Sequence, residues 1–380
     1  FFCGFYTSAK SSQMQQSCVR LGNSDLTLAQ PIGFGTLQWG DTWIDEKLNR
    51  GGVLSDSVLK DIFAEIQSHG ITFFDSAEGY GGGTSEQRLG ELAASSEKPA
   101  VLATKFLPTP CRWSKAAFHR ALRASLDRMG VSCCDIYFIH SPVHPMPLEV
   151  WVEAAAEAAQ KGLIKALGLS NFDASQTRRA HKVATQHALP IAANQIMFNL
   201  LDFNSLRLQE TLRTCEELNI TVVAYSPIGQ GLLTDDLTPV KFKSIRAAKM
   251  TGLKMDQLQA LRLTVRELAE KRGKSMAQVA LNWTICHGAV PLVGCRSVAQ
   301  ARDSAGCLGW RLTPDEVASL DRVALARSTL EGPRWRRGIF VALASVLMTA
   351  YKLCLLVSGR RGGLPRSSLL APVCVKLCPN

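Results

Sequence analysis

The 380-residue sequence lacks the cysteine and histidine spacings that define metal-binding or disulfide-rich proteins. Its 12 cysteines are scattered, and only Cys133 with Cys134 and Cys374 with Cys378 lie close together. Neither pair is followed by a second cysteine or histidine pair at the spacing of a metal site. We therefore predict no metal, and we expect the cysteines to be reduced and to behave as small apolar residues.

The body of the chain also lacks a basic surface pattern, although the formal net charge is +11. Residues 331–380 carry eight Lys and Arg residues and one acid, which leaves 35 basic and 31 acidic residues elsewhere. No basic stripe with interleaved aromatic residues occurs in that remainder. The composition argues against nucleic-acid binding, whereas a hydrophobic content of 46% is ample for a large globular core.

Acidic residues are missing from the first 24 positions, where serines accompany Lys10 and Arg20. This composition is typical of the end of a transit peptide, which would direct the protein to a plastid. It is equally typical of a disordered leader without a targeting signal, which would leave the protein cytoplasmic. We therefore predict a leader over residues 1–24, a folded domain over 25–328 and a separate tail over 329–380.

The tail contains one long apolar run, residues 338–359. Its 22 residues are enough to span a bilayer, and its ten Leu, Ile, Val and Phe residues contribute about −3 to −6 kcal/mol to insertion, against about +3 kcal/mol for Lys352. Basic residues flank the run on both sides and leave its orientation open. The run is predicted to be a membrane anchor, an amphipathic surface helix or an extension from an incorrect gene model. It is the only membrane contact that we expect.

Eight short runs rich in β-forming residues are predicted as strands. They occupy residues 32–36, 71–75, 101–106, 135–140, 166–170, 191–196, 221–225 and 290–294. Helical patterns occupy residues 56–69, 114–129, 149–160, 173–187, 206–218, 256–272, 275–287 and 313–326. A polar stretch over 229–254 is predicted to be either a lid at the ligand side of the fold or a simple insertion.

Strands and helices that alternate at intervals of about 30 residues indicate parallel βαβ units. Eight such units close most economically on themselves, so we predict an α/β fold, a single (β/α)8 TIM barrel. An open doubly wound sheet is the alternative. It would need a glycine-rich turn after its first strand, and Gly33-Phe34-Gly35 lacks the third glycine.

Charged and polar residues stand at the ends of three consecutive predicted strands. Asp75 ends one strand and Tyr80 follows five residues later, while Lys105 and His140 stand at the ends of the next two. The carboxyl ends of parallel strands meet at one rim of a barrel, so these four side chains are expected to converge there.

This set suits the reduction of a carbonyl group, because an arriving hydride creates an alkoxide that needs a proton. Tyrosine, with an ordinary pKa of about 10, is a useful acid at neutral pH only beside a cation. We predict that Tyr80 donates the proton and that Lys105 supplies the cation. Asp75 would keep Lys105 charged, and His140 would orient the carbonyl oxygen. A Schiff-base aldolase with Lys105 as nucleophile is the alternative chemistry on such a barrel.

An ordered set of short motifs across residues 25–328 resembles the aldo-keto reductase family, in particular its plant and algal plastid-type NADP-dependent branch. The matching stretches are Phe73-Phe74-Asp75-Ser76-Ala77-Glu78, Tyr80-Gly81, Ala103-Thr104-Lys105, Ile139-His140, Gly168-Leu169-Ser170-Asn171, Asn194-Gln195, Ala224-Tyr225-Ser226-Pro227 and Gly294-Cys295-Arg296. The resemblance implies an NADPH-dependent reductase without a Rossmann domain, and it assigns the catalytic roles to the same four residues.

The resemblance also implies a set of cofactor-binding residues. These are Gly35, Thr36, Ser170, Asn171, Gln195, Tyr225, Ser226, Pro227, Ile228, Gly294, Arg296, Ser297, Gln300 and Asp303. Within the set, Tyr225 would stack on the nicotinamide ring, and the guanidinium of Arg296 would grip the 2′-phosphate and so favour NADP over NAD. The sequence departs from the family pattern at Val293, where proline is common, and at Asp303, where glutamate is common.

Substrate choice and assembly are much less legible. Four aromatic residues near strand ends, Trp39, Trp43, Phe106 and Trp113, are predicted either to wall an apolar substrate pocket or to be ordinary core and rim residues. The expected partner is a small-molecule carbonyl compound, and the oligomeric state is left open. Besides the aldolase, a redox-sensing regulatory subunit that binds NADPH with little turnover is a second alternative.

Overall fold

The structure, a computed structural model, describes residues 18–40, 52–109, 111–143, 146–238 and 255–326. Its strands are β1 Val19–Arg20, β2 Thr27–Leu28, β3 Gly33–Gly35, β4 Phe73–Asp75, β5 Val101–Phe106, β6 Cys134–Ile139, β7 Ile164–Ser170, β8 Ile191–Met197, β9 Thr221–Tyr225 and β10 Val290–Gly294. The last eight are parallel and close into a barrel, in which β10 pairs with both β9 and β3. This closure confirms the predicted (β/α)8 barrel.

Helices cover the outside of the barrel. In the described residues they are α1 Asp56–Ser68, α2 Thr84–Ala94, α3 Lys115–Met129, α4 Leu148–Gln160, α5 Ala174–Gln186, α6 Leu206–Glu217, α7 Met255–Arg272, α8 Met276–Cys286, α9 Val298–Ala305 and α10 Pro314–Val323. α1 shows why such segments are helical. Ser55 caps its N-terminus, and Leu59, Ile62 and Ile66 form one buried face.

Two of these helices, α2 and α9, are missing from the predicted set. α2 begins directly after a run of glycines, which the sequence marks as a chain break, yet Leu89 and Leu92 give it a buried apolar face. α9 has only eight residues, and a side-chain cap from Ser297 starts it. Short helices next to loops carry little periodic signal, so tertiary packing decides whether they form.

The hairpin of β1 and β2 lies partly inside the predicted leader 1–24. Gly22 between the two strands donates its N–H to Thr221 Oγ1 at 2.8 Å, and Asn23 Oδ1 accepts the N–H of Ile191 at 2.9 Å. Both partners stand at the first residues of barrel strands, so the hairpin covers the amino-terminal end of the barrel. Residues 19–24 of the predicted leader therefore pack against the barrel, and residues 1–17 lie outside the described part.

Other predictions fall on residues that the structure does not describe. These are the tail 329–380 with its apolar run 338–359, Trp43, and the part of the 229–254 stretch beyond residue 238. Within the described ranges, no helix is both long and apolar enough to cross a membrane.

Alternate residues of each strand pack into two separate layers. Phe73, Ala103 and Phe138 belong to the apolar cluster inside the barrel, whereas Phe74 and Phe106 pack between the strands and the helices. Because side chains of a strand alternate between its two faces, residues two positions after Phe73 and Ala103 also face the barrel axis. These residues are Asp75 and Lys105.

Candidate active site

The four predicted catalytic residues come together at the carboxyl ends of β4, β5 and β6. Asp75 is the last residue of β4, Lys105 the last but one of β5, and His140 directly follows β6. The Lys105 ammonium donates hydrogen bonds to Asp75 Oδ2 and to the Ser76 carbonyl oxygen, the latter at 2.7 Å. It also lies 3.4 Å from the Tyr80 hydroxyl. A single buried cation thus connects the aspartate with the tyrosine.

The electrostatic state of this pair follows from its burial. The Lys105 side chain has no exposed surface and that of Asp75 almost none. Burial disfavours the charged ammonium, but the charge of Asp75 and the contact with Tyr80 outweigh it and raise the pKa of Lys105 above its ordinary value. Lys105 is therefore a cation at neutral pH.

Tyr80 reaches Lys105 from a tight turn. The tyrosine opens a short 3-10 turn, Tyr80–Gly83, in which Gly81 and Gly82 have left-handed backbones with φ of 57° and 67°. Side chains other than glycine rarely adopt that conformation. Space adds a second constraint, because a Cβ atom on Gly40 would lie 2.5 Å from the Gly81 Cα atom. The glycines after Tyr80 therefore shape the turn that presents its hydroxyl.

His140 lies beside Tyr80 at the same rim. The two ring centroids are 6.1 Å apart, and the ring planes make an angle of 77°. The backbone N–H of His140 donates to the Phe106 carbonyl oxygen at 2.9 Å. Burial and the positive charge of Lys105 lower the pKa of His140 to about 3. The imidazole is thus neutral at pH 7 and has one ring N–H to donate.

Gln195 and Asn171 extend the site onto β8 and the end of β7. The Gln195 amide donates to Asp75 Oδ1 at 3.1 Å, so it holds the carboxylate oxygen that Lys105 does not use. Asn171 has a left-handed backbone with φ of 63°. Its side-chain N–H groups donate to the Ser170 hydroxyl at 3.1 Å and to the His140 carbonyl oxygen at 3.2 Å.

Tyr225 and the turn after it continue the rim at the end of β9. The Tyr225 hydroxyl donates to Asn171 Oδ1 at 2.9 Å. Ser226 has φ of 53°, and its carbonyl oxygen accepts from the Asn199 side chain at 3.0 Å. The turn residues Pro227 and Ile228 follow. The structure therefore brings the predicted residues of β7, β8 and β9 to the same mouth as the four predicted catalytic residues.

The end of β10 carries the second predicted cofactor segment, 294–303. Ser297 caps α9 by accepting from the Gln300 N–H at 3.2 Å, and the Gln300 side chain accepts from the Arg296 N–H at 2.8 Å. The Arg296 guanidinium donates to the carbonyl oxygen of Gly52 at 2.7 Å. An arginine that directly precedes a helix N-cap combines two groups that suit a phosphate, a guanidinium and the backbone N–H groups of the first helical turn.

Two of the predicted cofactor residues have side-chain partners within the protein. Thr36 is fully buried, and its hydroxyl lies 2.7 Å from that of Ser85. The Asp303 carboxylate accepts a hydrogen bond from the Gln278 side chain at 3.0 Å. Gly35 and Gly294 are the last residues of paired strands β3 and β10. The Thr36 hydroxyl and the Asp303 carboxylate are thus engaged within the protein.

Two of the predicted substrate-pocket aromatics, Trp39 and Phe106, are buried in the core. Trp39 is buried against Phe74. Phe106 packs between its strand and the helices, and its ring centroid lies 4.9 Å from that of Phe118 and 5.0 Å from that of Trp151. Trp113 is described at the surface, 57% exposed. Strand alternation explains Phe106: Lys105 faces the barrel axis, so its neighbour faces the helices.

Sequence reasoning from single residues missed the pairing of Glu78 with Arg112. The two form a salt bridge next to the turn of Tyr80, with Glu78 only 8% exposed. Glu78 stands in the same motif as Asp75 and Tyr80, which was a signal for its importance. The chain carries no local signal for its partner, which lies 34 positions away.

A parallel (β/α)8 barrel with a buried lysine between an aspartate and a tyrosine, and a neutral histidine beside the tyrosine, is an arrangement for moving a proton at an oxygen atom. The profile of the Aldo/keto reductase family matches residues 31–325. The chain therefore belongs to the aldo/keto reductase family, as its motifs predict. It is an oxidoreductase of a family that reduces carbonyl groups and generally uses NAD(P)H.

Named relatives and solved structures agree with this membership. The chloroplastic pyridoxal reductase of Arabidopsis thaliana is 35% identical over 308 residues, which cover 77% of this chain and 83% of that protein. The aldo-keto reductase str7 of Strobilurus tenacellus is 32% identical over 322 residues, 81% of this chain and 92% of that protein. The structure of the glycerol dehydrogenase AKR11B4 from Gluconobacter oxydans superposes with a TM-score of 0.69 at 27% identity, covering 82% of this chain and 95% of that one.

Proposed function

We propose that the protein reduces an aldehyde or ketone to the alcohol with NADPH, and that Tyr80 donates the proton. The observation that carries the proposal is the buried Lys105 ammonium, which is hydrogen-bonded to Asp75 and lies 3.4 Å from the Tyr80 hydroxyl. When bound, NADPH supplies the hydride that the carbonyl carbon accepts. The carbonyl oxygen takes the proton of the Tyr80 hydroxyl, and solvent later restores that proton.

The charges around Tyr80 suit this proton transfer. The phenolate that remains on Tyr80 after donation lies beside a cation, which Asp75 keeps charged. His140, neutral at pH 7 because its pKa is lowered to about 3, can donate its ring N–H to the carbonyl oxygen and orient it. Lys105 and Asp75 thus act on the reaction through Tyr80, whereas Tyr80 and His140 contact the substrate.

The residues at the ends of β7, β8 and β9 fit a nicotinamide cofactor by their donor and acceptor groups. Ser170, Asn171 and Gln195 offer a hydroxyl and two amides, which match the carboxamide of the nicotinamide. Tyr225, whose hydroxyl is bonded to Asn171, offers a flat ring for stacking.

Arg296 supports NADP over NAD as the cofactor. Arg296 directly precedes Ser297, the N-cap of α9, where the helix dipole also favours negative charge. A 2′-phosphate could form paired hydrogen bonds with the guanidinium, whereas the neutral 2′-hydroxyl of NAD could not.

The two alternative functions differ in a measurable way. The Schiff-base aldolase needs a neutral Lys105 nucleophile, and the ion pair with Asp75 together with the raised pKa of Lys105 opposes it. The regulatory subunit would bind NADPH without consuming it, so steady-state turnover decides between it and the reductase.

The relatives suggest where to begin with substrates and location. Because a chloroplastic pyridoxal reductase is 35% identical to this chain, pyridoxal is the first aldehyde to test, and a plastid is the proposed location. Small aliphatic and aromatic aldehydes and ketones complete the panel. A fluorescent fusion of the full-length chain, imaged against chlorophyll fluorescence in plant cells, would contradict the proposed location if it stayed in the cytosol.

The decisive experiment measures NADPH oxidation by the parent and by Tyr80→Phe across this panel. We expect Tyr80→Phe to lower kcat by roughly 10²- to 10⁴-fold, because general acid catalysis is lost, while the Kd for NADPH stays unchanged. Tyr137→Phe is the matched control, since the Tyr137 hydroxyl is buried without a hydrogen-bond partner among the described residues. Equal rates for Tyr80→Phe and the parent would refute the acid assignment. A parent that binds NADPH but turns over no carbonyl would favour the regulatory subunit.

A further inference from the structure

We propose that Glu78 and Arg112 are positioning residues, a clamp that holds the Tyr80 turn against the strand that carries Lys105. This inference rests on the proposed role of Tyr80 as proton donor. The clamp joins two loops at the barrel mouth, one after β4 and one after β5, and its components lie close in sequence to both catalytic residues.

The clamp consists of four hydrogen bonds around one carboxylate and one guanidinium. Arg112 Nη1 and Nη2 donate to the two carboxylate oxygens of Glu78, the second at 2.8 Å. Glu78 Oε1 also accepts the Leu107 backbone N–H at 2.6 Å, and Arg112 Nη1 donates to the Leu107 carbonyl oxygen at 2.8 Å. The side chain of one loop therefore satisfies the backbone of the other.

The position of these bonds along the chain gives them their effect. Glu78 precedes Tyr80 by two residues, and Leu107 follows Lys105 by two residues. The Glu78 backbone N–H also lies 3.4 Å from the Lys105 carbonyl oxygen. The clamp thus fixes the register between the tyrosine and the lysine at the point where each leaves its strand.

The catalytic contact is sensitive to that register. The Lys105 ammonium and the Tyr80 hydroxyl are 3.4 Å apart, beyond the usual hydrogen-bond length of about 3 Å. A displacement of about 1 Å at such a contact can cost roughly 100-fold in rate. The glycines that follow Tyr80 make the turn easy to distort. The bonds of Glu78, which precedes Tyr80, hold the other end of the turn in place.

Burial makes the clamp rigid. Side-chain exposure is 8% for Glu78 and 20% for Arg112. Burial alone would lower the pKa of Arg112, but its hydrogen bonds and charge interaction with Glu78 raise it. The Arg112 guanidinium also lies over the Phe106 ring, 4.9 Å from its centroid, which ties the clamp to the core between strand and helices.

The test compares this clamp with a chemically matched pair elsewhere. The Arg272 guanidinium donates to both carboxylate oxygens of Glu316, and Glu316 also accepts the Thr313 backbone N–H at 2.9 Å. Side-chain exposure is 7% for Glu316 and 30% for Arg272. Arg272 and Glu316 lie on α7 and α10, outside the catalytic strands. We would measure kcat, KM, the Kd for NADPH and the thermal midpoint for Arg112→Lys and Glu78→Gln, with Arg272→Lys and Glu316→Gln as controls, all in the full chain.

We expect Arg112→Lys and Glu78→Gln to lower kcat by about 10- to 100-fold with the Kd for NADPH within twofold of the parent value. In the alcohol-oxidising direction Tyr80 must accept a proton, so the rate rises with pH as its phenolate forms. In both variants this rising limb of the pH profile should move to higher pH, because the phenolate lies farther from the Lys105 cation. The double variant should be no slower than the worse single variant, since both disrupt one unit. Arg272→Lys and Glu316→Gln should lower the thermal midpoint and leave kcat and the pH profile unchanged.

The opposite pattern would overturn the proposal. If both pairs lower the thermal midpoint alike while kcat and the pH profile of the clamp variants stay at the parent values, the clamp is structural only. If Arg112→Lys fails to fold, Glu78→Gln, which keeps an acceptor for Leu107, decides alone. Failure of the proposed function is a separate result, because then the parent itself would not consume NADPH.

Discussion

On the β4 to β6 side of the barrel mouth, the predicted functional groups centre on a buried ion pair. On the β7 to β10 side they are uncharged hydroxyls and amides together with one guanidinium, and several of them bond to backbone carbonyls. Lys105 and Asp75 form an ion pair inside the barrel, with Tyr80 against the lysine. Arg296, at the opposite side, donates to a backbone oxygen of a neighbouring loop.

The roles that we propose for the two sides account for this difference. A group that stabilises a developing charge works best when its orientation is fixed before the reaction, and buried ion pairs with extra hydrogen bonds are fixed in this way. A group that binds a cofactor must exchange its partners when the cofactor enters and leaves. Hydrogen bonds from amides and guanidinium groups to backbone carbonyls exchange with little loss of free energy. Three substitutions test this comparison.

Lys105→Met should have the largest effect, because it removes one partner of the buried ion pair on the β4 to β6 side. The change leaves Asp75 buried without its cation, so we expect the free energy of unfolding to fall by about 3 to 5 kcal/mol and kcat by roughly 10³-fold. Urea unfolding and NADPH oxidation measure the two. Lys165→Met is the control, because Lys165 pairs with Asp135 at the surface, 58% exposed, and should lose about 1 kcal/mol at most. Equal losses for the two variants would mean that burial of the Lys105 pair has no special role.

Arg296→Leu should have an intermediate effect, limited to cofactor binding. Loss of charged hydrogen bonds to a 2′-phosphate should raise the KM for NADPH by about 10- to 100-fold and leave kcat and the KM for NADH nearly unchanged. Titration of protein fluorescence with each nucleotide provides an independent measurement. Arg302→Leu, which removes an exposed arginine of the same helix, is the control. Parallel losses of NADPH and NADH affinity would contradict a role in phosphate recognition.

His140→Asn should have the smallest effect on the free energy of unfolding at pH 7, and what it changes is the dependence of that free energy on pH. In the folded protein the pKa of His140 is lowered to about 3, below the ordinary value of about 6.5, so only the unfolded state takes up this proton as the pH falls below 6.5. The parent should therefore lose up to about 1.4 kcal/mol per pH unit from this group between pH 6 and pH 4, and His140→Asn should not.

Urea unfolding at pH 7, 6, 5 and 4 measures this slope. His187→Asn is the control, because His187 lies exposed at the end of α5 and its replacement removes one imidazole without emptying the barrel mouth. Identical slopes for His140→Asn and the parent would show that the imidazole is protonated in the folded state as readily as in the unfolded state.

The strands and their ends were predictable from the sequence because both signals are local. The predicted bounds 101–106, 221–225 and 290–294 coincide with β5, β9 and β10. Phe106 was a different case. Neighbouring side chains of a strand face opposite sides, so Phe106 faces the helices if Lys105 faces the barrel axis. The direction of Lys105 is known only from its bond to Asp75 in the structure.

Features that depend on distant pairing were not predictable. The hairpin that covers the base of the barrel is recognisable only by its bonds to β8 and β9, and its two-residue strands carry no periodic signal. The pairing of Glu78 with Arg112 spans two loops and leaves no pattern along the chain.

The sequence by itself determined the number and order of the barrel strands and which residues stand at their ends, because apolar runs and the chain breaks after them are properties of neighbouring residues. Tertiary structure alone decided which of those residues touch. Closing the barrel brings Gln195 of β8 to Asp75 of β4 across the axis, and it joins the Tyr80 turn to the strand of Lys105 through the clamp. Such contacts arise from barrel closure and from burial of charge, which act between residues far apart in the chain.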